Sequence, residues 1–132
     1  SHAFGSYEIT REEIISFAEQ YDPQPFHTDP EAARNSMFGT LVASGWHTAA
    51  VTMRMLVDHY LGDSGALGSP GLEGLRWETP VRPGDVLSVE IEVTDKEPWD
   101  DDRGVVHNSL TTANADGEAV MTMESLVLFP RR

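Results

Sequence analysis

The sequence predicts an α+β fold, and two observations carry that prediction. Up to about residue 61 the apolar residues recur at helical spacing, and from Leu72 onward they recur at every second position. Helices that precede a run of antiparallel strands must bury their apolar stripe on the sheet, so the longest helix is expected to lie across one sheet face. At 132 residues the chain reads as one domain, 1–132, large enough to bury roughly 65–70% of its unfolded surface.

Ser6 to Ile9 alternates and reads as an edge strand. Ser1 and His2 read as the remnant of a cleaved tag, outside the fold. Thr10 with Glu13 makes a capping box, after which Ile14, Ile15, Phe17 and Ala18 define a short amphipathic helix up to Tyr21. Asp22-Pro23-Gln24-Pro25 stops it, because prolines remove donors and extend the residues before them. His27 follows in this proline-braced loop. Asp29-Pro30-Glu31 then caps one or two turns through Asn35, and Met37 to Val42 is a loop.

Ser44 caps the longest helix, which is expected to run to Leu61 with Gly62 as its stop. On a helical projection Trp46, Ala49, Ala50, Met53, Leu56, Val57, Tyr60 and Leu61 form one wide stripe, expected to face the core. Val51 and Met55 interrupt the polar face opposite, and His47, Arg54 and Asp58 lie along one edge. Gly62 to Gly71 reads as an internal loop. Strands are expected at Leu75–Glu78, Val86–Thr94, Val105–Ala113 and Ala119–Phe129, with turns at Arg82-Pro83-Gly84-Asp85, at the acidic Asp100-Asp101-Asp102 and at Asp116-Gly117.

Composition narrows the partners. With 22 acidic against 9 basic residues, the net charge of -13 repels phosphate backbones and anionic membranes, so nucleic acid is not expected. Arg34, Arg76, Arg82 and Arg103 remain available for a small anionic ligand. There is no cysteine and hence no disulfide or thiolate. The histidine spacings match no zinc pattern, and the aspartate run lacks the glycine and distal glutamate of an EF-hand loop, so no metal site is assigned. Without a membrane-length apolar run or a signal peptide, the expectation is a soluble cytoplasmic protein.

The residues that carry chemistry gather between Tyr21 and His47. An aspartate and a histidine in one rigid loop can both reach one water: the imidazole moves a proton near neutral pH while the carboxylate orients the water. The helix start at Ser44-Gly45 offers unpaired amides to a developing oxyanion, and glycine permits close approach. Two plainer readings stand beside these. Asp-Pro is a common helix stop, and Gly45 also suits tight packing of the helix entrance against a strand. His47, one turn inside the helix, suits either the site or a hydrogen-bonded structural role; the three tryptophans read as core or interface.

With these residues in view, the chain resembles the MaoC-like dehydratases and (R)-specific enoyl-CoA hydratases of the hot-dog superfamily. The resemblance rests on YDPQPFHTDPEAA and FGTLVASGWHTAA, and more weakly on RWETPVRPGD and DGEAVMTMESLVLFPRR. It implies that Asp22 and His27 activate water for addition to a trans-2-enoyl thioester, or for the reverse, while the Gly45 amide polarises the thioester carbonyl. Gln24, Ser44, Trp46 and His47 are the expected substrate-contact positions. Gln24 stands where the motif usually has asparagine, and Ser44 where many hydratases have histidine. The resemblance further implies an antiparallel sheet wrapped around the Gly45 helix and a homodimer or higher homo-oligomer with its acyl tunnel along the interface. It implies no cofactor, coenzyme A arriving within an acyl-CoA substrate. The alternatives are a hot-dog acyl-CoA thioesterase, whose water attacks the carbonyl carbon, and a non-catalytic acyl-thioester binder.

Overall fold

A computed structural model describes residues 2–62 and 64–131; Ser1, Asp63 and Arg132 lie outside it. Strand β1 (His2–Glu8) leads into α1 (Arg11–Tyr21), two short helices α2 (Pro25–Thr28) and α3 (Pro30–Arg34), and the long helix α4 (Gly45–Leu56). Strands β2 (Gly68–Trp77), β3 (Val86–Pro98), β4 (Arg103–Ala113) and β5 (Ala119–Pro130) complete the chain. The five strands form one antiparallel sheet in the order β1-β3-β4-β5-β2. This α+β arrangement, with a sheet curled around one helix, is the hot-dog fold.

The core forms where α4 crosses the sheet. Val51, Met55 and Leu56 pack against Leu87, Val89 and Ile91 of β3, Leu110 of β4, and Val120 and Met121 of β5. At about 25 cal/mol per Å² of apolar area removed from water, this contact is the main term holding helix to sheet.

The buried face of α4 differs from the one expected. His47, Thr48, Val51, Thr52 and Met55 point inward, whereas Trp46, Met53 and Val57 of the apolar stripe are 59%, 50% and 42% exposed. Polar residues on this face are partly paired: Thr52 Oγ1 donates to the Thr48 carbonyl at 2.8 Å and lies 2.7 Å from Thr112 Oγ1, while His47 Nδ1 has no partner among the described residues. Of the stripe, Leu56 is buried in the core, and Ala49, Tyr60 and Leu61 are partly buried against it. None of the three tryptophans is in the core either, since Trp77 and Trp99 are also about half exposed.

Several boundaries move. His2 pairs with Ile91, so it belongs to the fold; Ser1 lies outside the described residues. Pro25 opens a helical turn, so His27 sits on α2 and not in a loop, because proline suits the first position of a helix, where its missing N–H is not needed. After Leu56 the long helix widens into one π-helical turn, Val57–Leu61, and the Gly62 amide donates to the Val57 carbonyl. Gly62 is right-handed there, and a Cβ on it would sit 2.6 Å from that carbonyl, so close approach explains the glycine and left-handed geometry does not. Strand β2 starts at Gly68, inside the expected loop, as a bulged edge strand with Pro70 and three glycines. Strand β3 continues to Pro98, and the acidic turn shrinks to a loop pinned by Asp100, which accepts from the Asp102 and Arg103 amides and pairs with the Arg103 guanidinium.

Candidate active site

Three local stops bring the site together. Helix α1 ends on Asp22, whose amide donates to the Ala18 carbonyl, which turns the chain out of the helix with the carboxylate beside α2. Gln24 and Pro25 start α2, whose single turn presents His27 inward. Ser44 caps α4 from the far side of the connecting loop.

His27 is buried, and its Nδ1 lies 2.7 Å from the Val42 carbonyl. A carbonyl only accepts, so Nδ1 carries the proton and the neutral ring presents the Nε2 lone pair. That Nε2 faces Asp22 Oδ2 across 3.3 Å. No water fits between two atoms this close: as an imidazolium the ring holds the contact through its Nε2–H, and as the neutral Nδ1–H tautomer its Nε2 can accept from a water bound beside the pair.

Asp22 is fixed at both oxygens. Gln24 Nε2 donates to Oδ1, and Ser44 Oγ donates to Oδ2 at 2.8 Å. Burial pushes the Asp22 pKa up, but the hydrogen bonds from Gln24 and Ser44 and the nearby His27 outweigh it, so the carboxyl ionises below its ordinary range. Gln24 thus keeps a hold on the aspartate although it stands where asparagine is usual.

Ser44 is fully buried and serves twice, since its Oγ also accepts from the Trp46 amide at 3.3 Å. Its carbonyl takes the His47 and Thr48 amides. Among the described residues none accepts from the Gly45 amide, which leaves the positive end of α4 with one free N–H. Trp77 lies on Gly45: its Nε1–H donates to the Gly45 carbonyl at 2.9 Å, and a Cβ on Gly45 would come within 2.3 Å of the indole. The packing reading of Gly45 is therefore real, and the free amide stands beside it.

His27 and Gly45 line one cavity of about 250 Å³, closed by Val42, Thr48, Trp77 and Val81 among others. Asp22 is not on that wall and meets it through His27 and Ser44. The arrangement can take a proton from a water, hold the resulting imidazolium against a carboxylate, and offer an amide to an oxyanion in the same space.

Of the other expected contact residues, Trp46 lies outside this cavity and packs edge-to-face on Trp77 at 5.2 Å between ring centres. His47 points the opposite way. Its Nε2 meets Glu13 Oε2 at 2.5 Å, Glu13 Oε1 accepts from the Tyr7 hydroxyl at 2.9 Å, and its ring stacks on Phe17. It ties α4 to α1 and does not touch the cavity, because its position on the helix faces α1. Three contributors escaped sequence reasoning: the Val42 carbonyl, Thr48 and Trp77. A main-chain carbonyl leaves no residue signal, and a threonine at helical spacing reads as neither polar nor apolar.

Residues 3–114 match the family described as "MaoC like domain". A solved MaoC-like dehydratase from Rhodospirillum rubrum superposes with a TM-score of 0.91 at 44% identity, covering 98% of this chain and 90% of that one. The (R)-hydratase of A. caviae involved in PHA biosynthesis superposes at 0.78 and 25% identity, covering 98% and 93%. A 3-hydroxybutyryl-CoA dehydratase of Methylorubrum extorquens is 30% identical over 126 residues, 95% of this chain and 76% of that protein.

Proposed function

The chain belongs to the family of MaoC-like dehydratases, and from that premise we propose that it hydrates a trans-2-enoyl-CoA, or dehydrates the 3-hydroxyacyl-CoA, with Asp22, His27 and Gly45 as its catalytic residues. One observation carries the reading: a proton-accepting Nε2 held against a carboxylate, in the same cavity as a free helix amide. In the hydration direction the enoyl carbonyl oxygen hydrogen-bonds the Gly45 N–H, which draws electrons from the C2=C3 double bond. His27 Nε2 removes a proton from the bound water as its oxygen attacks C3. The electron pair of the double bond moves toward the thioester oxygen as an enolate, and the proton returns to C2. Asp22 orients the water and steadies the imidazolium, with Ser44 and Gln24 keeping it ionised.

Coenzyme A enters as part of the substrate in this reading. The acyl tail leaves the cavity past the Trp46–Trp77 pair and lies in an apolar groove of about 700 Å³ along the exposed stripe of α4. A second copy of the chain covers that stripe, forming the homodimer and closing the groove into a tunnel.

The assay that separates this from thioester hydrolysis follows crotonyl-CoA by enoyl absorbance and by free thiol together. Loss of absorbance without thiol release is expected. Thiol release with the double bond intact assigns the water to the carbonyl carbon and overturns the hydratase reading, and binding without either signal leaves an acyl-thioester binder.

A further inference from the structure

The apolar groove contains a few polar groups that do not fit an alkyl chain, and Asn108 is the most deeply buried of them without a partner among the described residues. Among the described residues its lining has no charged side chain; helix residues such as Met53, Leu56 and Val57 face Met123 and Val127 of β5 across it. Asn108 of β4 also lines it, is 1% exposed, and its Oδ1 has no hydrogen-bond partner among the described residues, not even Ser125, its cross-strand neighbour on β5. Asn108 occupies the same inward-facing row as Leu110 and Thr112, where an apolar residue would simply extend the core. Of the other buried polar residues of the lining, Thr52 is already satisfied by Thr48 and Thr112, and Ser125 stands opposite Asn108 on β5. An amide held out of water without a partner is destabilising; the other such atom among the described residues, His47 Nδ1, belongs to a residue outside this apolar groove, whereas Asn108 faces it.

Resting on the reading above, we propose that Asn108 is a specificity-determining residue that selects acyl tails carrying a neutral hydroxyl. An amide offers both a donor and an acceptor, and a hydroxyl can answer either, so the match holds for both orientations of the Asn108 side chain. An alkyl tail leaves the amide unpaired. A tail ending in carboxylate would enter a groove with no cation among its described lining, and would lose its solvation without a counter-charge.

The test compares kcat/KM for three matched enoyl-CoA series: plain alkyl tails, tails hydroxylated at successive carbons, and tails ending in carboxylate. Wild type is expected to favour one hydroxyl position over its alkyl counterpart by about tenfold or more, chiefly through KM, and to use the carboxylate series least. Asn108→Leu, close in size and apolar, is expected to reverse the hydroxyl preference, read as the ratio of hydroxylated to alkyl kcat/KM within the variant; Asn108→Ala provides the same ratio should leucine overpack. Alkyl tails hydrated as well as or better than every hydroxylated one, or a ratio unchanged in both variants, overturns the selection and leaves the hydratase reading standing. Failure to hydrate any of the three series overturns both.

Discussion

At the scale of single residues, the Ser44 hydroxyl acts with Gln24 on the state of Asp22, against burial. It and Gln24 hold the carboxyl below its ordinary range, so Asp22 contributes stability above that range and loses it as pH falls through the lowered value. Ser44→Ala is expected to raise the Asp22 pKa. The acid limb of the kcat/KM profile and the acid-unfolding midpoint should both move to higher pH; a profile that does not move would deny the hydroxyl this role. His107 shifts oppositely. Its hydrogen bond to Glu97 raises its pKa, burial works against that, and Glu124 adds to the rise. Its contribution is full below the ordinary imidazole value and fades as pH climbs through the raised one, and Glu97→Gln should lower the value seen by NMR titration. Asp22 and His27 were legible from the sequence because proline geometry confines them to a few residues of chain. The Val42 carbonyl that sets the imidazole tautomer was not, since its partner lies fifteen positions away and it has no side-chain signature.

At the scale of elements, α4 teaches the most. Its periodicity indicates a helix from Ser44 and an amphipathic face, both present, but only Ala49, Leu56, Tyr60 and Leu61 of the apolar stripe reach the core, while Trp46, Met53 and Val57 are exposed. Hydrophobic spacing identifies a face that avoids water and says nothing about whether sheet, substrate or another chain covers it. The inward face is held instead by satisfied threonines and by the His47–Glu13 contact to α1. That contact joins the helix ending at Asp22 to the helix starting at Gly45, so His47→Ala is expected to cost about 1–3 kcal/mol, read from chemical denaturation, while cutting turnover less than His27→Ala does. The helix entrance is equally constrained. Gly45→Ala must displace the Trp77 indole and weaken its hydrogen bond, an overpacking cost of roughly 1–3 kcal/mol, and the indole fluorescence should report the shift.

At the scale of the whole molecule, helices followed by antiparallel strands were readable from the change of period near Leu72 and from the hairpin turn at Gly117; the turn at Gly84 joins β2 to β3, which lie apart in the sheet. The bulged β2 was not, because Gly68, Pro70, Gly71 and Gly74 carry loop composition into an edge strand. That edge and the exposed stripe of α4 border one groove, and no helix among the described residues is long and apolar enough to cross a membrane. A charge on the stripe tests the proposed dimer: wild type is expected to sediment as a dimer and Val57→Glu as a monomer; a monomeric wild type would contradict the dimer, and a Val57→Glu dimer would move the interface elsewhere. The central claim is that Asp22 and His27 act on one water beside the Gly45 amide. Its most direct test is the rate at which wild type, Asp22→Asn and His27→Ala hydrate crotonyl-CoA, with folding checked by circular dichroism. The account predicts folded variants whose turnover falls by about 10²–10⁴-fold; folded variants that keep rates within about twofold of wild type would contradict it.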